Sequence, residues 1–223
     1  MDFLLGMKIL EEKTSPINGK IKVVKSLGFG IYIQVEGLTQ SGGVVEDIWR
    51  SALRKVKGKR QEVKECLILG LGGGSAAKLV RKFWPASRGE PKAKITGVDI
   101  DPVMVEMGKK YMGLDKVQVK IQIQDAKDFL LTISHQPSTI KYDLILVDLY
   151  KGHEVPEKFQ SENYIQLVRT VLASGGVAVF NRLYFGEKRP EAMKFGKKLE
   201  KVFSKVDYFY PEANVMFICY NKD

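Results

Sequence analysis

From about residue 63 to the end, short apolar runs alternate with amphipathic stretches. Buried strands are predicted over 65–70, 93–99, 117–124, 142–148 and 177–181, each a compact run rich in Val, Ile and Leu. Between them, apolar residues at helical spacing predict helices over 75–84, 102–111, 126–134, 162–173 and 190–203. Pro85 ends the first of these helices, Gly175-Gly176 closes the fourth, and Pro190 stands in the first turn of the fifth. Two closing strands, 206–210 and 214–220, flank the short Pro211-Glu212-Ala213 turn and are expected to pair antiparallel at one sheet edge. Buried strands alternating with helices predict an α/β, Rossmann-like, doubly wound sheet: seven strands, mostly parallel, with an antiparallel C-terminal edge.

The first 45 residues follow a different period. Strands are predicted over 21–25 and 31–36, joined by a turn at Ser26-Leu27-Gly28-Phe29-Gly30. A helix over 44–56 follows, with Val45, Ile48, Trp49, Leu53 and Val56 on one face. The expected division is a small N-terminal β-hairpin domain, 1–45, and an α/β domain, 46–223.

Composition narrows the class. Among 223 residues, 44% are hydrophobic, enough for a packed core. No apolar run approaches the roughly 18–20 residues of a membrane span, and the N-terminal stretch lacks the form of a signal peptide. Cys66 and Cys219 both fall in strand-like runs and read as reduced core residues, which points to a cytoplasmic protein without zinc, other metal or disulfide framework. Lys and Arg number 36 against 26 Asp and Glu, a formal charge of +10. Such a surface attracts nucleic acid, acidic protein or anionic lipid, yet its basic residues are dispersed and not interleaved with aromatics. A nucleic-acid partner therefore stays open without being singled out.

Candidate chemistry lies at the strand ends, where doubly wound sheets bind ligands. Gly70-Leu71-Gly72-Gly73-Gly74-Ser75 follows the first buried strand and opens a helix, so backbone and helix dipole can both approach an anionic group. By itself the loop suits a dinucleotide as well as an adenosyl ligand. Asp99, ending the second strand, can accept ribose hydroxyls; Asp101 is the alternative, although its place before Pro102 suits a helix cap. Asp125 and Ala126 close the third strand, where the carboxylate can accept an adenine amino group or cap the next helix. Asp148 closes the fourth and would face a reacting centre. Beyond it, Tyr150 could border an acceptor, and His153, one of two histidines, is a candidate base near neutral pH.

With these motifs in place, residues 64–181 resemble the spermidine synthase-like branch of the class I S-adenosylmethionine-dependent transferases. The resemblance rests on Leu67–Ser75, Gly97-Val98-Asp99-Ile100-Asp101-Pro102, Gln124-Asp125-Ala126, Tyr142–Asp148 and Gly175–Asn181. The N-terminal hairpin, Gly37-Leu38-Thr39-Gln40-Ser41 and the helix beginning near Glu46-Asp47 are similar to the small β domain of aminopropyltransferases. The resemblance implies a class I methyltransferase fold. It also implies an adenosyl donor, S-adenosylmethionine or its decarboxylated form, contacted by Gly70, Gly72, Gly73, Gly74, Asp99, Asp125, Ala126 and Asp148, with Gln40 approaching as well. A homodimer through the apolar hairpin is a further implication.

The chain departs from the polyamine pattern at two points. Spermidine synthases follow the fourth strand with Asp-x-x-Asp, whose second acid is placed to take a proton from the attacking amine; here the stretch reads Asp148-Leu149-Tyr150-Lys151. Their Tyr-His-Glu in the N-terminal helix reads Ile48-Trp49-Arg50. A lysine cannot be that base and repels a cationic diamine. Methyl transfer to an unidentified small-molecule or protein acceptor is therefore expected first. Aminopropyl transfer to a polyamine comes second, and an adenosyl-binding protein without catalysis third.

Overall fold

The computed structural model describes residues 6–60, 62–86, 93–136 and 140–221. Two sheets organise the chain. The first is an antiparallel meander of four strands, β1 (Met7–Ser15), β2 (Gly19–Ser26), β3 (Gly30–Val35) and β4 (Leu38–Gly42), paired in that order. The expected hairpin is its centre, β2 and β3. The outer strands escaped the sequence reading for separate reasons. β1 is an edge strand crowded with charge, and β4 is short and polar because its side chains serve the site below.

The second sheet has seven strands in the order β10-β11-β9-β8-β5-β6-β7. Its strands are β5 (Glu65–Leu69), β6 (Lys94–Asp99), β7 (Val119–Ile123), β8 (Tyr142–Val147), β9 (Leu172–Leu183), β10 (Lys205–Phe209) and β11 (Asn214–Tyr220). β9, β8, β5, β6 and β7 are parallel, while β11 runs antiparallel to both β9 and β10. The expected antiparallel edge is thus present, with β10 outermost. One boundary differs from expectation. Helix α5 (Glu162–Val171) stops before Leu172, and Gly175-Gly176 lie inside a longer β9, where Leu172 already pairs with Tyr142.

Alternation along the central strands sends side chains to two cores. Leu67 and Leu69 of β5 pack with α4 (Ala126–Ser134), α5 and α6 (Lys188–Val202). Cys66 and Ile68 face the other way, toward α1 (Gly43–Lys59) and α2 (Ser75–Phe83). A third core joins the meander to α3 (Pro102–Met112): Ile21, Val23, Ile33 and Val35 cover Met104, Met107 and Met112. Each fully buried aliphatic side chain contributes about 1.5–3 kcal/mol relative to exposure, so this seam holds the meander firmly over the sheet. Both cysteines are free and buried. Among the described residues no helix is long and apolar enough to cross a membrane, and no cluster of three His, Cys, Asp or Glu could hold a metal.

Candidate functional site

The strand order creates the site. β5 lies between β8 and β6, and the chain leaves it first for β6 and later returns to β8 on its other side. Loops beyond these carboxyl ends diverge and leave a crevice. A cavity of about 690 Å³ opens there, roofed by the meander and within the usual size range of small-molecule sites.

Gly70, Gly72, Asp99, Asp125, Ala126, Asp148, Tyr150 and Gln40 all line this cavity. The glycine loop needs its composition. Gly70 has φ 89, and a Cβ there would run into the carbonyl oxygen of Asp148, so loop and β8 end meet backbone to backbone. Gly73 and Gly74 lie behind the wall: Gly73 packs its Cα against Gly108 of α3, and Gly74 precedes α2. Ser41 Oγ of β4 accepts the Gly73 N–H at 2.8 Å, and Ser75 Oγ accepts the Gly42 N–H at 2.8 Å, which stitches the meander to the loop.

Asp99 Oδ2 accepts the Gly72 N–H at 2.7 Å, and its Oδ1 accepts the Asp101 N–H at 2.9 Å. Burial pushes its carboxyl up to about 6, against the lowering effect of those two N–H groups. Asp101 is turned away from the cavity. It is fully buried, caps α3 through the Val103 and Met104 N–H groups, and accepts Ser15 Oγ at 2.5 Å and Asn18 Nδ2 at 2.7 Å. The same carboxylate therefore pins the β1–β2 turn, whose Pro16, Ile17 and Asn18 form part of the cavity wall.

Asp125 both caps α4 and faces the cavity. Its Oδ2 also accepts Lys158 Nζ at 2.5 Å. Burial would raise this carboxyl, but Lys158 and the capping N–H groups outweigh it and hold the pKa below the ordinary value. Asp148 stands at the end of β8. Trp49 Nε1 donates to Oδ2 at 2.7 Å and Asn181 Nδ2 to Oδ1 at 2.9 Å, while Asn214 Nδ2 in turn donates to Asn181 Oδ1 at 2.7 Å. Burial raises the Asp148 carboxyl despite those two donors.

Tyr150 presents its ring, not its hydroxyl. The Oη accepts the Leu183 N–H at 2.8 Å and donates to the Asn181 carbonyl at 3.4 Å, and burial pushes its pKa up. His153 is not brought to the cavity wall. It is more than half exposed, lies 3.8 Å from Glu154, and borders a separate small cleft with Arg182. Lys151 does reach the wall, as do Trp49, Asn181, Asn214, Ser41 and Asn18. Of these last five, Trp49 reads in sequence as an apolar helix position, and none is among the site residues expected from sequence. Asn181 carried a usable signal, since it ends the strand predicted over 177–181.

A protein-family model described as the spermine/spermidine synthase domain matches residues 46–218. The chain belongs to that family. Spermidine synthase from Thermotoga maritima has the same fold, with a TM-score of 0.73 at 16% identity, covering 96% of this chain and 72% of that one. Human methyltransferase-like protein 13 shares it too, with a TM-score of 0.62 at 22% identity over 81% of this chain and 80% of that one. Among curated relatives, a probable polyamine aminopropyl transferase of Bifidobacterium longum is 32% identical over 52% of this chain. An eEF1A lysine and N-terminal methyltransferase homolog of Drosophila melanogaster is 29% identical over 93% of this chain. The chain spans only 23% and 30% of those two relatives' lengths. Relatives named as an aminopropyl transferase and as a methyltransferase thus both match this chain.

Proposed function

We propose that this protein binds S-adenosylmethionine in the strand-end cavity and catalyses methyl transfer. The observation that carries the reading is Lys151, a cation on the cavity wall where the polyamine pattern has an acid. In this arrangement Asp99 accepts the ribose hydroxyls, Asp125 and the Ala126 backbone take the adenine edge, and the glycine loop takes the amino-acid portion. Asp148, held by Trp49 and Asn181, faces the transferable methyl group, and the Tyr150 ring borders the acceptor. Methyl transfer asks little of a base. The acceptor lone pair forms a bond to the methyl carbon, the carbon–sulfur bond breaks, and its electron pair neutralises the sulfonium. Exposed Leu38, Val44 and Phe185 at the cavity mouth suit an acceptor presented on an apolar stem. The long match to the Drosophila methyltransferase homolog supports the same reading.

Calorimetric titration with S-adenosylmethionine, decarboxylated S-adenosylmethionine and methylthioadenosine tests it. Tighter binding of the carboxylated donor is expected. Preference for the decarboxylated one overturns methyl transfer, and binding of none of the three overturns the adenosyl site itself.

The Bifidobacterium match favours a second reading, aminopropyl transfer to a polyamine. Under it, Lys151→Asp restores the missing acid and raises turnover of putrescine with decarboxylated donor. No gain counts against it.

A further inference from the structure

We propose that Lys151 sets the choice of adenosyl donor, pairing its ammonium with the α-carboxylate of S-adenosylmethionine. This rests on the methyltransferase reading and adds to it the group that separates the two donors.

Charge around the cavity comes first. Its wall carries Asp99, Asp125, Asp148 and Glu212, and, among the described residues, two cations, Lys151 and Lys158. Lys158 is neutralised by Asp125. Lys151 has no such partner: the nearby carboxylate of Glu154 lies toward His153 and Lys188, and among the described residues no acid comes within 4.0 Å of the Lys151 ammonium. A ligand carboxylate placed against the three aspartates would be repelled. The unneutralised lysine is where an anion is favoured.

The backbone beneath Lys151 is fixed. Its N–H donates to the Glu154 carbonyl at 2.8 Å, and the Glu154 N–H donates back at 3.2 Å. Gly152 makes the turn between them, and its carbonyl accepts Gln40 Nε2 at 3.0 Å. The lysine therefore projects from a short hairpin tied to β4, with only its side chain free to adjust.

Position decides which anion. The segment leading to Lys151 starts at Asp148, whose carbonyl abuts Gly70, so this segment and the glycine loop are two walls of one cleft. The amino-acid portion of the donor must lie in that cleft if its sulfonium is to face an acceptor. The acceptor mouth, by contrast, presents Leu38, Val44, Phe185 and the carboxylate of Glu212, which do not favour an anion. The donor carboxylate is thus the anionic group within reach.

The test uses the full chain and its Lys151→Met and Lys151→Arg variants, titrated with the same three ligands at low and high salt. Lys151 is exposed, so both variants are expected to fold. Lys151→Met should weaken S-adenosylmethionine by roughly 10- to 100-fold, the scale of a charged hydrogen bond. It should leave methylthioadenosine, which lacks the amino-acid portion, unchanged. Lys151→Arg should restore most of the preference, and the salt dependence of S-adenosylmethionine binding should change in the methionine variant while that of methylthioadenosine stays as in the wild type. If Lys151→Met keeps the wild-type preference for the carboxylated donor, the inference is overturned while the methyltransferase reading stands. If it weakens methylthioadenosine equally, Lys151 is supporting the cavity rather than selecting the donor. A wild-type preference for decarboxylated donor overturns both.

Discussion

Trp49 Nε1 and Asp148 Oδ2 lie 2.7 Å apart, so an indole on α1 orients the carboxylate at the end of β8. The two residues are 99 positions apart in sequence, and the bond spans the seam between the helix after the meander and the parallel sheet. Trp49→Phe keeps the ring packing and removes the donor. A buried polar group left short of a partner costs about 1–3 kcal/mol, and that loss should appear in urea denaturation. Binding of S-adenosylmethionine should weaken as well, because Asp148 would be held by Asn181 alone. Unchanged affinity in a folded Trp49→Phe protein would show that the indole does not position Asp148 for the ligand.

Asp99 predicts a pH dependence. Burial lifts its carboxyl from 3.8 to about 6. Between those values the folded protein keeps a proton that the unfolded chain has lost. Its contribution to stability therefore falls as pH rises through that window and is level above it. If Asp99 takes the ribose as proposed, adenosyl binding runs the other way, since ribose hydroxyls would donate to the ionised form. Affinity should rise from about pH 5 to about pH 7, with proton release on binding. Calorimetry in buffers of different ionisation enthalpy measures both quantities, and Asp99→Asn should flatten the profile.

Asp101 holds two structures with one carboxylate, the first turn of α3 and the β1–β2 turn. Ser15→Ala removes one of its donors and should cost about 1–3 kcal/mol by chemical denaturation. Asp101→Ala strips the helix cap as well, and a lost cap adds about 1 kcal/mol. The order of the two losses is the check, with Asp101→Ala the larger.

Gly70→Ala tests the contact between the loop and β8. The residue sits at φ 89, and its missing Cβ leaves room for the Asp148 carbonyl. Alanine would have to adopt a strained backbone and push that carbonyl away, a loss of about 2 kcal/mol or more. Denaturation should show it, and S-adenosylmethionine binding should fall by at least roughly 10-fold as Asp148 shifts.

The sequence by itself determined the parallel sheet, the glycine loop and acids at its strand ends, and the family. Those signals are local: an apolar run of five or six residues, a glycine cluster after it and an acid at the next strand end each depend on neighbours in the chain. Local reasoning also favoured Asp101 as a helix cap, because it stands before Pro102, and the structure has it capping α3.

Only the tertiary structure decided the rest. Trp49 reads in sequence as one more apolar position on α1, and its hydrogen bond exists because the helix crosses the end of β8. No strand is predicted over 38–42, yet β4 pairs there with β3 and carries Ser41 and Gln40 to partners in the glycine loop and at Gly152. Tyr150 lost its hydroxyl to the β9 backbone, and His153 was left outside the cavity by the turn at Gly152. Lys151 shows the division within one residue. The chain reveals that a cation replaces an acid; only the fold shows that, among the described residues, this cation has no acid partner on the wall of an acid-lined cavity, because pairing depends on distances between segments that are remote in sequence.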